Sequence, residues 1–154
     1  MSFTDFFMEK ENKSLILTIT QAVAMVLALF TGPLISSNLF FSFLALLGLG
    51  IWIWSFVIMV REGSYNILPN LSKKNKLVTK GPYHFVRHPI YTGMFLLAGS
   101  LLLNYLTVWR IGFFLVLLFS TILKLEEEEK ILNKSFEDYH QYQKKTKRLI
   151  PFVY

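Results

Sequence analysis

Residues Gly81 to Gly93 read GPYHFVRHPIYTG, a stretch that sits between a lysine-rich segment and a long uncharged run. Two histidines, an arginine, two tyrosines, two prolines and two glycines crowd one boundary, which is dense for a linker. Pro89 suits the first turn of a helix, where its missing N–H leaves nothing unsatisfied and its fixed φ is already helical. That places Arg87 and His88 at the helix N-terminus. Backbone N–H groups, the positive end of the helix dipole and a guanidinium would meet there, an arrangement suited to a carboxylate or phosphate.

Outward from this stretch the chain reads as membrane protein. Its 154 residues are 53% hydrophobic, 16% aromatic and only 17% charged, too apolar for a soluble domain of this size. The net charge of +6 suits topology and anionic headgroups, and no basic-aromatic module points to nucleic acid. The absence of cysteine excludes disulfides, thiol nucleophiles and zinc–cysteine sites.

Four spans are expected in an all-α, polytopic fold with a cytoplasmic C-terminal helix, near residues 14–32, 34–60, 89–107 and 108–125. Met1 to Lys13 reads as a short interfacial segment with Phe3, Phe6 and Phe7 against lipid. Gly32-Pro33 breaks the first span, so the first two helices should form a hairpin, with Gly48 and Gly50 providing small surfaces for close helix contact. No strand or GxGxxG supports a dinucleotide fold. Residues 61–88 form a polar, basic loop. The stretch from Ile111 to Leu123 is the shortest span and needs Lys124 to snorkel toward the headgroups. In this arrangement every lysine and arginine except Arg110 lies on one side, which the positive-inside rule assigns to the cytoplasm along with both termini.

Beyond the last span come four consecutive glutamates, Glu126 to Glu129. At helical spacing Glu128 and Glu129 share the stripe of Leu125, Leu132 and Phe136, whereas Glu126 and Glu127 turn outward. An inward carboxylate at a membrane boundary calls for a cationic or hydroxyl partner, and the Arg87-His88-Pro89 segment returns to the same face. The residues after Phe136 admit two readings: a basic tail adhering to lipid, or a tail folded back over the cleft with its helix ended by Pro151.

His84 and His88 lie four apart, but Pro89 disfavours a helix there and no ligand set completes a metal site. His140 sits among solvated residues, and no GxSxG marks a serine hydrolase. The ionisable residues gather at one face rather than mid-span, unlike a transporter. A pocket on the cytoplasmic side fits them better.

The stretch LVTKGPYHFVRHPIYTG from Leu77, an apolar hairpin, EEKILNKSFEDYHQY from Glu128 and RLIP from Arg148 together resemble the isoprenylcysteine carboxyl methyltransferase and phospholipid methyltransferase superfamily. The resemblance covers roughly the C-terminal half, and its RHPxYxG-to-EE pattern is specific. It implies a multi-pass enzyme that binds S-adenosylmethionine on the cytoplasmic side, under the segment after the last helix, and takes a lipophilic acceptor from the bilayer. The family's cofactor motif maps onto Tyr83, Arg87, His88, Pro89, Tyr91 and Gly93, and its acidic pair onto Glu128 and Glu129. Glu137 replaces a glycine frequent in the family's C-terminal motif, and the loop there is one residue shorter, so the tail should pack differently.

Physical roles follow from these positions. Arg87, His88 and the helix N-terminus suit the methionine carboxylate, and Glu128 or Glu129 the ribose hydroxyls or the amino group. Tyr83 and Tyr91 offer aromatic faces to adenine or the sulfonium. Gly81 and Gly93 either admit the ligand to the backbone or serve only as turn and helix contact. Methyl transfer demands alignment and dryness more than a base or metal, so no metal and no catalytic base is assigned; Arg87 is the candidate for orienting the acceptor. The expected reaction is carboxyl O-methylation of an isoprenylcysteine-like acceptor. The alternatives are N-methylation of a phospholipid amine and a non-catalytic membrane scaffold or lipid-binding protein. Membrane lipids are the expected surroundings, with no nucleic-acid partner; the oligomeric state is open.

Overall fold

A computed structural model describes residues 3–34, 37–62, 76–151 and 153–154, with side chains from residue 12 onward. Among the described residues five α-helices follow one another: α1 Phe3–Phe30, α2 Leu39–Arg61, α3 Pro89–Asn104, α4 Val108–Ser135 and α5 Tyr139–Lys145. A 3-10 turn, Gly81–His84, precedes α3. Among the described residues there is no strand, only an isolated parallel bridge between Val86 and Lys147. The middle of the 61–88 loop, with Lys73 and Lys74, and the side chains of the expected N-terminal interfacial segment up to Glu11 lie outside the described residues. The backbone of that segment from Phe3 onward is continuous with α1.

Among the described residues three helical stretches are long and apolar enough to cross a membrane: Asn12–Phe30, Leu39–Arg61 and Val108–Ser135. Ile16, Val23 and Phe30 of α1, Phe40, Phe43 and Leu46 of α2, and Phe119 of α4 are exposed, as lipid-facing side chains must be. The protein is thus an all-α membrane protein, but the expected distribution of span lengths is reversed. The fourth segment, expected to be shortest, belongs to a 28-residue helix. The third is only 16 residues, or about 24 Å at 1.5 Å per residue, short of a hydrocarbon core of about 30 Å.

Arg110 explains where α3 stops. Its guanidinium is buried, with Nη1 donating to the Leu101 carbonyl at 2.5 Å and Nη2 to the Pro33 carbonyl at 2.9 Å. It therefore joins the last turn of α3, where the Leu101 carbonyl also accepts from the Tyr105 N–H at 3.3 Å, to the α1–α2 turn. Tyr105 is extended, and the Thr107 side chain caps α4 by accepting from the Arg110 N–H at 3.2 Å. Gly32 leaves the room: a Cβ there would stand 2.7 Å from Tyr105 and 3.2 Å from Arg110. Arg110→Met, which strips both carbonyls of a charged donor, is expected to lower stability by about 2 kcal/mol, read as a lower denaturation midpoint in detergent.

The packing does not pair α1 with α2 as the hairpin reading expected; α2 lies along α3, and α1 along α4. Glycine decides the first pair. Any Cβ on Gly48 would sit 2.8 Å from the Gly93 carbonyl oxygen, and one on Gly93 would sit 2.6 Å from that of Gly48 and 2.7 Å from the Trp52 amide nitrogen. The antiparallel backbones touch directly, a contact only glycine permits. Gly50 has no such role, since a Cβ there would meet nothing within 4 Å.

Polar side chains align the second pair. Ser14, Gln21, Ala24 and Ala28 form the buried seam of α1, with the alternating spacing of a left-handed packing stripe. Gln21 Nε2 donates to Thr121 Oγ1 at 2.8 Å, Lys124 Nζ donates to Thr18 Oγ1, and Lys13 Nζ lies 3.3 Å from Glu127 Oε1. These rungs run antiparallel. Lys124 does not snorkel outward as expected: it is buried, because Thr18 and, one turn on, Glu128 at 3.6 Å supply partners inside.

Candidate functional site

The chain between α2 and α3 is set against the start of α2's last turns by Gly81. Its φ of +59° is a left-handed conformation that glycine adopts freely, and a Cβ would also lie 2.3 Å from Ile58. Pro82 opens the 3-10 turn, which buries the Tyr83 ring. The Tyr83 hydroxyl reaches toward the Ser55 carbonyl at 3.5 Å, while the Tyr83 carbonyl accepts from the Tyr142 hydroxyl at 2.6 Å. Tyr83 therefore joins α2 to α5. Burial, reinforced by Tyr142 and Glu128, pushes its phenol well above the usual range. Burial does the same to Tyr142 and Tyr139, so all three phenols are neutral at physiological pH.

His88 caps α3 and Pro89 fills its first position. The His88 carbonyl accepts from the Tyr91 and Thr92 amides at 3.0 and 3.1 Å. The two amides just before the helix, expected to greet an anion, are taken: Arg87 N donates to Lys147 O at 2.8 Å and His88 N to Arg148 O at 3.0 Å. Thr92 Oγ1 adds a bond to Leu149 O at 2.7 Å. Of the two readings of the tail, the structure has the folded-back one. The helix ends earlier than expected, at Lys145 with Thr146 as its cap, rather than at Pro151; the extended residues after it pair with the Arg87-His88 backbone.

Glu129 is the centre of the charged cluster. Its Oε1 accepts from Arg87 Nε at 2.8 Å, and its Oε2 from Arg148 Nε at 3.1 Å. The Arg87 and Glu129 side chains are 9% and 7% exposed, so this is an ion pair removed from water. Arg87 Nη1 also donates to the Thr146 carbonyl at 2.5 Å and to that of Gln143 at 3.3 Å. One guanidinium thereby holds α3, α4 and the tail. Glu128 is less buried and accepts from the Tyr91 hydroxyl at 2.8 Å. The His88 ring lies over Tyr91, with centroids 5.8 Å apart and planes 18° from parallel.

His88 stands between the two acids, Nδ1 3.6 Å from Glu128 and Nε2 3.5 Å from Glu129. Nε2 nevertheless makes no hydrogen bond, and neither does the hydroxyl of fully buried Tyr139. A buried polar atom left without a partner is costly, so two groups beside Glu129 are available to a ligand.

The fold thus gathers Arg87, His88, Tyr91, Glu128 and Glu129 at the junction of α3, α4 and the tail. Glu126 is exposed, as its outward register requires. Pro89 shapes the helix start. Gly93 is not brought into the cluster; it faces α2. His84 is exposed on the turn while His88 is buried, so the pair does not face a common point. Two residues escaped the sequence reading. Tyr139 looked like one aromatic of an amphipathic face, and Arg148 like one charge of a basic tail; only the return of the tail brings both to Glu129.

Comparison with known proteins gives the family. The phospholipid methyltransferase family model matches residues 39–139. A protein-S-isoprenylcysteine O-methyltransferase of Schizosaccharomyces pombe is 39% identical over 94 residues, covering 53% of this chain and 37% of that relative. The chain thus matches well under half of that relative's length. No solved structure matches this chain. Since the match runs from the start of α2 to the start of α5, the chain belongs to the phospholipid methyltransferase family.

Proposed function

We propose that this protein is a membrane methyltransferase that binds S-adenosylmethionine at the Arg87–Glu129 cluster, on the cytoplasmic face, and methylates a lipophilic acceptor. The observation that carries the reading is the buried Glu129 carboxylate, held by Arg87 and Arg148, with two buried polar atoms that make no hydrogen bond, His88 Nε2, 3.5 Å from Glu129, and Tyr139 Oη. The donor set fits such a cofactor. Arg87 and Arg148 are the groups for its carboxylate, Glu128 and Glu129 for its ribose hydroxyls or amino group, and the stacked His88 and Tyr91 rings for its adenine or sulfonium. When bound, the cofactor supplies an electrophilic methyl group whose transfer to a carboxylate requires no proton removal.

The chain's own residues align and keep dry. The tail covers α3's start through Lys147, Arg148 and Leu149, and the neutral phenols of Tyr83, Tyr139 and Tyr142 exclude water without adding charge. Arg87, fixed by three acceptors, is positioned to orient an acceptor. An isoprenylcysteine carboxylate is the leading acceptor, in keeping with the name of the fission-yeast relative. A phospholipid amine is the second, in keeping with the family's description.

Calorimetric titration of detergent-purified protein with S-adenosylmethionine tests the reading. Glu129→Gln is expected to weaken binding by roughly 10- to 100-fold, the loss of a charged hydrogen bond. Labelled-methyl transfer to an S-prenylated cysteine or to phosphatidylethanolamine then separates the acceptors. A folded sample that binds no S-adenosylmethionine ends the enzyme reading in favour of a scaffold.

A further inference from the structure

Helix α1 lies outside the residues 39–139 that match the family, yet its polar seam meets α4 where α4 carries the acids of the candidate site. The charges there are paired. Lys13 Nζ stands 3.3 Å from Glu127 Oε1, and Lys124 Nζ 3.6 Å from Glu128 Oε1. The two pairs differ in burial, since the Lys13 side chain is 53% exposed and that of Lys124 only 7%. A surface pair contributes little, whereas a buried ammonium persists only where its charge is met. Thr18 decides where that ammonium sits. Its hydroxyl donates its one proton to the Ser14 carbonyl at 2.9 Å, so toward Lys124 Nζ it acts as acceptor.

Nζ is thereby fixed between α1 and the Glu128 carboxylate, one turn further along α4. Glu128 Oε1 faces both Lys124 and the Tyr91 hydroxyl, which donates to it at 2.8 Å, so α3 and α4 hold the same oxygen. Oε2 is 3.6 Å from His88 Nδ1, beyond hydrogen-bond distance, and is the oxygen left for a ligand. We infer that Lys124 is a positioning residue for cofactor binding: held by Thr18 of α1, it fixes the Glu128 carboxylate with Oε1 engaged and Oε2 free to accept. This role rests on the S-adenosylmethionine reading for the identity of the ligand. It makes α1 part of the site's support although α1 supplies none of the cluster's residues. The physical gain is preorganisation, because a carboxylate held in place before the ligand arrives loses less rotamer freedom on binding. The competing account is that Lys124 merely joins two helices, as Gln21 does one turn deeper by donating to Thr121 at 2.8 Å. Only the Lys124 rung continues to an acid of the site.

The test is calorimetric titration of the full chain in detergent with S-adenosylmethionine, repeated on Lys124→Met, Lys124→Arg, Glu128→Gln, the double variant Lys124→Met/Glu128→Gln, and Gln21→Leu. Lys124→Met is expected to weaken binding roughly fivefold to tenfold, the contribution of an ion pair shielded from water, and Lys124→Arg to recover most of the affinity. With Glu128 gone, Lys124 has nothing to position, so the double variant should bind as Glu128→Gln alone does. Gln21→Leu, which breaks the other rung, should lower the denaturation midpoint and leave the affinity unchanged. A double variant whose loss is the product of the two single losses overturns the inference, because Lys124 then acts without Glu128. So does Gln21→Leu weakening binding as much as Lys124→Met, which makes loosening of α1 from α4 a sufficient cause. If Lys124→Met does not fold, Thr18→Val keeps the lysine and frees it from α1. A loss of affinity that vanishes when Glu128→Gln is also present then supports the role of Lys124, and affinity equal to that of the unmodified chain overturns it. An unmodified, folded chain that binds no S-adenosylmethionine removes the methyltransferase reading and this role with it. Binding that is indifferent to Lys124→Met removes this role alone.

Discussion

Arg87→Ala is expected to destabilise the protein by about 3–5 kcal/mol, the range for deleting one partner of a buried ion pair, and to abolish measurable S-adenosylmethionine binding. Arg87 and Glu129 are both shielded from water, so removing the guanidinium leaves a buried carboxylate with Arg148 as its remaining guanidinium partner. The same change releases the carbonyls of Gln143 and Thr146, and with them the anchor of the tail. Arg87→Lys keeps the charge but not the fork that reaches three acceptors; it should fall between the two. Denaturation midpoints and calorimetry on detergent-purified variants check this. An alanine variant as stable as the unmodified chain, binding S-adenosylmethionine normally, would remove the cluster from both stability and function.

Gly93→Ala is expected to cost about 3 kcal/mol, the upper part of the range for overpacking a tight interior. The obstruction is backbone, the Gly48 carbonyl and the Trp52 amide, and backbone in two helices has no rotamer to yield. Since α3 carries His88 and Tyr91 into the site, pushing it off α2 should also weaken cofactor binding, without touching a group that contacts the ligand. Gly48→Ala should behave alike, because it enters the same contact from the other helix. Gly50→Ala serves as the control: nothing lies within 4 Å of its Cβ position, and relief of glycine's helix penalty should leave it neutral or slightly stabilising. Equal stability of all three alanine variants would refute direct backbone contact between α2 and α3.

Legibility in the sequence followed the range of the interaction. Pro89 at a helix start and Glu129 on an inward stripe were readable because helical geometry alone places them. The same local rule put Glu126 outward and Glu129 inward, but Glu127, expected outward, is as shielded as Glu128, their side chains being 25% and 28% exposed. Lys124 was misread for the opposite reason. It looked like a charge seeking the headgroups at a helix end, and it instead finds Thr18 on another helix. Periodicity describes one helix; it does not say which neighbour supplies a partner. Gly48 and Gly50 make the point most sharply, since two glycines one residue apart differ entirely in what their missing side chains permit.

The amino-acid sequence by itself determined the class of this protein. Uncharged runs of membrane length are forced into helices because lipid offers no partner for a free backbone group, and the Arg87-His88-Pro89 and Glu128-Glu129 sets follow from local spacing. Tertiary structure alone decided that α1 lies on α4 and α2 on α3, where α3 ends, and that Arg148 reaches Glu129. Those outcomes depend on the match of one helix surface to another and on the return of a tail that is distant in sequence. A buried charge is stable only where partners from several elements converge, and that convergence is written in no single stretch of the chain.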